Sequence, residues 1–162
     1  MRKIYRRRRE GKTNYRKRFA LLKSKKHRII IRKSNKNIRV QFATYKPNGD
    51  HIITSAIGNE LKKYGWNHNY SNTPSAYLTG FLSGKKAINK GIREGIVDIG
   101  LHSPKKGARI FAALKGVIDA GINVPYGEEI LPSEDRIYGK HIDENLADKV
   151  EEVKKKIEDE YG

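Results

Sequence analysis

Thirteen of the first 26 residues are Lys or Arg, and Glu10 is the one acid among them. A stretch this charged cannot enclose itself, because withdrawing each cation from water costs roughly several kcal/mol unless a counter-charge meets it. It must lie outside any core, disordered or partly helical until a polyanion neutralises it. The basic excess runs further, with 19 Lys and Arg against one acid in residues 1–46, 10 against 5 in 47–126 and 6 against 12 in 127–162. The net charge of +17 is therefore polarised along the chain. Such a charge selects a polyanion, with nucleic acid ahead of anionic lipid, through release of counterions from phosphates. A solvated run or a localisation signal would look similar within the first 26 residues. Here, however, the charge continues into a segment patterned as strands, "HRIIIRKSNKNIRVQ", where an address tag would stop.

From residue 28 the pattern changes to period two. "RIIIRKS" and "NIRVQFATY" are β-branched runs flanking Asn35-Lys36, a polar turn that predicts a tight hairpin. Ile38, Val40 and Phe42 fall on one face of the second strand, and Arg39, Gln41 and Ala43 on the other. "KPNGD" is a turn and "HIITSAI" a third strand. Helical spacing begins at Thr73-Pro74, with Thr73 as cap, and places Leu78, Phe81, Ile88 and Ile92 on one face. Gly80 and Gly84 on that helix predict close packing onto the sheet. "GIVDIGL" predicts a short buried strand, and "ARIFAALKGVIDAG" a second amphipathic helix ended by Gly121.

A strand, crossover helix and strand in succession imply a parallel pairing of right-handed connection. The expected fold is α/β (α+β): a three-stranded antiparallel meander plus one parallel strand, in the order βββαβα, with helices on one face. The other face, carrying Arg39 and Gln41, is left for a partner. With 36% hydrophobic content in 162 residues, one core is expected. The chain divides into a basic RNA-binding N-terminal extension (1–26), a globular α/β domain (27–122), and a loop-rich extension with a C-terminal helix (123–162). Within the extension, "NYRKRFALLKS" predicts a short helix capped by Asn14 and tucked onto the domain by Phe19, Leu21 and Leu22. At the other end, Leu146, Val150, Val153, Ile157 and Tyr161 form an apolar seam on a helix from about 143 to 161. That seam fits the chain's own domain or another protein equally well.

The glycines and acids do not assemble a catalytic pattern. "GFLSGKKA" has three residues between its glycines instead of four, and lacks the Ser or Thr after Lys that a P-loop requires. GxGxxG and GxSxG are absent, as is cysteine, and the five histidines (27, 51, 68, 102 and 141) lack metal-ligand spacing. Glu128/Glu129 and Glu134/Asp135 read as solvated loop acids. No enzyme activity, metal, cofactor or small-molecule substrate is expected. No apolar run approaches the ~20 residues of a membrane span, so a cytosolic protein without a membrane partner is expected. By contrast Tyr15, Arg16 and Arg18 combine flat rings and guanidinium planes, the sequence-tolerant partners of unstacked RNA bases.

Taken in order, "RRRREGKTNYRKRFALLKSKKHRIIIRKSNKNIRVQ", "KPNGD", "YGW", "NTPSAYLTG", "DIGLHSPKKGARIFAALKGVIDAG" and "LPSEDRIYGKHI" span nearly the whole chain. They resemble the archaeal and eukaryotic branch of the large-subunit ribosomal protein family that binds 5S rRNA, family eighteen of the universal large-subunit series. The resemblance implies a structural constituent of the central protuberance that attaches 5S rRNA to the large-subunit rRNA. Its partners would include neighbouring ribosomal proteins, among them a second 5S-binding protein. It implies RNA contacts from the basic tail (Arg6, Arg7, Arg8, Arg9, Lys12, Tyr15, Arg16, Arg18, Lys25 and Lys26) and from the hairpin (Arg28, Arg32, Ser34, Asn35, Lys36, Arg39 and Gln41). The loop before the second helix adds His102, Ser103, Lys105 and Lys106. Both ends of the chain are shorter than in some members, so contacts made by longer ends are not carried over. The alternatives are a basic DNA- or chromatin-binding protein and a non-ribosomal RNA-binding factor. Neither a helix-turn-helix, a zinc finger nor a basic zipper is found in the sequence.

Overall fold

The computed structural model describes residues 4–162; the first three residues of the basic extension lie outside the described residues. β1 (Arg28–Lys33) and β2 (Ile38–Thr44) pair antiparallel in the register Lys33 opposite Ile38 through Arg28 opposite Ala43. Ser34 and Asn37 close the turn, the Ser34 N–H donating to the Asn37 carbonyl at 2.8 Å, which leaves Asn35-Lys36 at its tip as expected. β3 (His51–Ile57) pairs antiparallel with β2, and β4 (Ile96–Asp98) pairs parallel with β1. The sheet order is β3-β2-β1-β4, so the parallel strand joins the meander at its β1 edge. A bulge between Phe42 and Ala43 skips Ile53 in the β2–β3 register.

Alternation works as the sequence reading expects. Ile29, Ile31, Ile38, Val40 and Phe42 are buried on one face, while Arg39 on the other is exposed. That polar face is not uniformly open, however: Arg28 and Ala43, paired at the end away from the hairpin turn, are both buried.

Helix α3 (Thr73–Asn89) departs from a one-sided amphipathic helix. Its cap is Asn72 rather than Thr73, with the Asn72 Oδ1 accepting from the Ser75 N–H at 2.9 Å. Every residue from Thr73 to Gly84 is buried, because the helix is enclosed by β2 and β3, by α4 (Arg109–Asp119) and by α6 (Leu146–Tyr161). The hydroxyls on it are accommodated locally, as where Thr79 Oγ1 donates to the Ser75 carbonyl at 2.7 Å. Gly80 and Gly84 permit close approach to α4 and not to the sheet: a Cβ at Gly80 would overlap the Ala113 backbone, and one at Gly84 the Ala120–Val117 turn. Gly116 of α4 returns the contact against Tyr77. Tyr77 donates across this junction to Asp119 Oδ2 at 3.0 Å; burial, then the Asp119 carboxylate, pushes its phenol far above the ordinary tyrosine range.

The open choice for the C-terminal helix is settled by its seam. Leu146, Val150, Val153 and Ile157 are fully buried against α3 and the 3-10 turn at Gly58–Tyr64, so α6 docks on its own chain. Val124, Ile137 of the short helix α5 (Glu134–Ile137) and this seam join the same core as Ile29 and Trp66. The acidic end thus forms a layer on α3, which itself packs on the sheet.

The extension is folded in part. α1 (Arg6–Arg9) and α2 (Tyr15–Leu22) flank a turn at Gly11, whose φ of +65° suits glycine, and Asn14 caps α2 as expected by accepting from the Lys17 N–H at 3.1 Å. Phe19 does not tuck inward. It is 63% exposed, while Leu21 and Leu22 are half-buried. The next turn's apolar pair and an ion pair from Arg18 leave Phe19 on the outer side of this short helix.

Candidate nucleic-acid interface

Between the extension and the β1–β4 edge lies a cleft of about 570 Å³. Arg7, Lys12, Lys17 and Arg18 line it from the extension, and Arg32 and His102 from the domain. Leu21, Ile30, Val97 and Leu101 supply apolar lining. Cations thus surround an amphipathic floor, an arrangement that accepts a phosphodiester at the rim and a ribose or base edge within.

A chain of ion pairs fixes the two sides of the cleft. Arg18 Nη2 donates to both carboxylate oxygens of Asp50, at 3.0 and 3.0 Å, and Asp50 also pairs with the Arg28 guanidinium. Arg28 Nη1 reaches Asp98 Oδ2 at 2.9 Å, and Asp98 Oδ1 accepts from Arg32 Nη2 at 3.1 Å. Arg28, at 3% exposure, is thereby committed to two carboxylates and not presented to a partner. On the sequence it resembles any strand cation; its burial depends on acids 22 and 70 residues away.

The remaining expected residues fall into three groups. Arg6 to Arg9, Lys12 and Arg16 are exposed on the extension, with Glu10 bridging Arg6 at 3.6 Å and Lys12 at 2.9 Å. Tyr15 stacks obliquely on Tyr5, ring centroids 5.3 Å apart, which ties the residue preceding α1 to the first residue of α2. Lys25 is exposed, and Lys26 is held by Glu94 at 2.8 Å. At the hairpin, Ser34, Asn35, Lys36 and Arg39 are exposed and Gln41 half-buried. In the loop before α4, Ser103, Lys105 and Lys106 are exposed.

His102 is half-buried near the turn end of the hairpin, where burial, then the charges of Lys33 and Arg32, hold its imidazole below the usual histidine range. The uncharged ring keeps an acceptor nitrogen until an anion arrives to favour its protonation. Lys17 and Lys33 join the cationic set, although no sequence signal separates them from their neighbours. Nothing local in the sequence marks Asp50 or Asp98, whose role depends on arginines far from each in the chain.

Among the described residues no cluster of three His, Cys, Asp or Glu side chains could hold a metal ion, and no helix is long and apolar enough to cross a membrane.

A family described as "Ribosomal large subunit proteins 60S L5, and 50S L18" matches residues 1–94 and 91–127. The chain belongs to this family. It is similar to the "Large ribosomal subunit protein uL18" of Korarchaeum cryptofilum, 54% identical over 148 residues that cover 91% of this chain and 75% of the relative. The protein of the same description from Aeropyrum pernix is 45% identical, covering 96% of this chain and 86% of its own. That from Thermofilum pendens is 54% identical, covering 84% and 69%. Membership makes the chain an archaeal-type structural protein of the large ribosomal subunit, located in the ribosome, and not an enzyme. Its partners are ribosomal RNA and ribosomal proteins, which removes the chromatin and non-ribosomal alternatives.

Proposed function

We propose that the chain binds 5S rRNA and attaches it to the large-subunit rRNA in the central protuberance, beside a second 5S-binding protein. The observation that carries this reading is the cleft, where the basic extension, strands β1 and β4 and the loop at His102 meet around one cationic opening. Structured RNA offers phosphates along grooves that a globular domain cannot enter, and a narrow cationic arm can follow them while a sheet sets its register. The extension supplies the arm. The hairpin face with Arg32, Arg39 and Gln41 supplies the register, and Lys105 and Lys106 widen the contact.

Polarity supports an orientation as well. Residues 127–162 carry 12 acids against 6 basic residues, and α6 packs on α3, which separates it from the sheet's polar face. A molecule basic on one side and acidic on another is turned by the field of a polyanion before contact. The acidic layer would then face away from the bound RNA, toward basic neighbours.

The test is competition between RNAs of similar size. Full-length protein mixed with equimolar labelled 5S rRNA and tRNA should retain 5S rRNA, in a one-to-one complex that then joins large-subunit rRNA. Equal retention of both RNAs would reduce the reading to general RNA affinity.

A further inference from the structure

Residues 1–50 contain two acids, Glu10 and Asp50, against 19 basic residues. Asp50 lies in the cleft, as does Asp98 of β4, where each would repel a phosphate. Neither is a loose surface acid: their side chains are 18% and 10% exposed. Together they link one arginine of the extension and two of β1 into an alternating row, Arg18, Asp50, Arg28, Asp98, Arg32.

The row has a buried middle and accessible ends. Arg28 is 3% exposed, whereas the Arg18 and Arg32 side chains are 32% and 41% exposed. Arg18 engages Asp50 through Nη2, and its Nε and Nη1 donors are uncommitted among the described residues. Arg32 is gripped more fully. Its Nη1 donates to the Ile31 carbonyl at 2.9 Å and the Asp98 carbonyl at 2.6 Å, and its Nη2 to Asp98 Oδ1 at 3.1 Å. The turn after β4 is fitted around this guanidinium: Gly100 has φ +63°, its N–H donates to Asp98 Oδ1 at 2.8 Å, and a Cβ there would come within 2.8 Å of Arg32 Cζ.

We propose that Asp50 and Asp98 are positioning residues for RNA binding. They set Arg18 of the extension and Arg32 of the sheet as two fixed phosphate clamps on opposite sides of the cleft. The inference rests on the RNA-binding reading above and adds to it that acids inside the cationic face strengthen binding. A free arginine loses its rotamer freedom when it grips a phosphate; here that freedom is lost on folding, so more of each contact appears as affinity. The carboxylates lower the row's charge but do not reverse it, since three arginines and two carboxylates leave it at +1.

The experiment measures 5S rRNA affinity at two salt concentrations for the full-length chain and for Asp50→Asn, Arg18→Ala and the double variant, each with a circular-dichroism melt. Charge alone predicts that Asp50→Asn, one unit more positive, binds tighter and with a steeper salt dependence. Positioning predicts the opposite: three- to tenfold weaker binding with no steepening, and little further loss when Arg18 is already alanine. Tighter or unchanged binding by folded Asp50→Asn overturns the inference, as does an equal loss in both backgrounds, which marks a merely structural acid. Should Asp50→Asn not fold, Gly100→Ala tests the clamp from its other side by displacing Arg32 with both carboxylates retained. At least threefold weaker binding supports the proposal, and unchanged affinity overturns it. Failure of the unmodified chain to prefer 5S rRNA would instead remove the RNA reading beneath it.

Discussion

The contact between α3 and α4 makes a sharp stability prediction at Gly80 and Gly116. A Cβ on Gly80 would overlap the Ala113 carbonyl oxygen and come within 2.7 Å of its carbon and 2.9 Å of its Cα; ordinary Cβ contacts begin near 3.4 Å. One on Gly116 would overlap the Tyr77 carbonyl oxygen and lie 2.7 Å from the Phe81 nitrogen. These neighbours are backbone and cannot rotate aside, so the two helices must separate. Replacing a helical glycine by alanine otherwise gains about 0.8–1 kcal/mol in propensity. Overpacking a close-packed junction costs typically about 1–3 kcal/mol, and rigid backbone places these sites at or above the upper end. A net loss of about 2 kcal/mol or more is expected for each single variant. For a chain of this size that lowers the melting temperature by roughly 4–8 °C at the lower figure. Gly127→Ala is the control, with φ −94° and nothing within 4 Å of where a Cβ would lie, and it should stay within about 0.5 kcal/mol of the parent. Thermal and denaturant unfolding followed by circular dichroism measure all three. Unchanged or raised stability in Gly80→Ala and Gly116→Ala would refute backbone-to-backbone packing of the two helices.

Other perturbations separate the faces of the sheet and the parts of the cleft. Arg39→Ala should weaken 5S rRNA binding by about 1–3 kcal/mol with little change in melting temperature, whereas Val40→Ala should lower stability by about 2 kcal/mol and leave the affinity of folded protein intact. Reversed outcomes would mean the strand faces are exchanged. Because burial and neighbouring cations hold His102 below its ordinary range, its contribution to stability is present above the unfolded-state pKa and declines as pH falls toward the lowered folded value. A bound phosphate favours the protonated ring, so RNA binding should take up a proton and strengthen on acidification from about pH 7, by at most tenfold per pH unit, with His102→Gln abolishing the His102-linked part. Identical pH profiles for the two proteins would exclude that linkage. Removing residues 1–26 deletes thirteen basic residues and Glu10 and lowers the formal charge from +17 to +5. The remainder should unfold cooperatively and bind at least ~10-fold more weakly, a loss of ~1.4 kcal/mol.

The strands were legible because alternation is a local signal: Ile38, Val40 and Phe42 point inward whatever lies elsewhere in the chain. The hairpin turn at Asn35-Lys36 and the second helix followed for the same reason. Reading α3 as one-sided fell short because Ser75, Thr79 and Ser83 look like solvent positions, whereas two further helices cover them. Among the cleft residues, positive charge identified Arg32 and the extension, but could not distinguish the buried Arg28 from the exposed Arg39. That distinction rests on Asp50 and Asp98, brought to Arg28 by the β2–β3 turn and by the crossover into β4. Phe19 misled for a related reason. An apolar side chain near two leucines predicts burial, yet a helix of eight residues tethered through Arg18 leaves room for one inward face.

Salt titration of 5S rRNA binding by the full-length chain tests phosphate recognition most directly. If about six phosphates are neutralised by the extension and cleft, log K should fall against log salt with a slope of about −4 to −5. The 5S rRNA should also remain preferred over tRNA throughout the titration. A slope near −1, or equal affinity for the two RNAs at every salt concentration, would contradict a cationic cleft that clamps 5S rRNA through its phosphates.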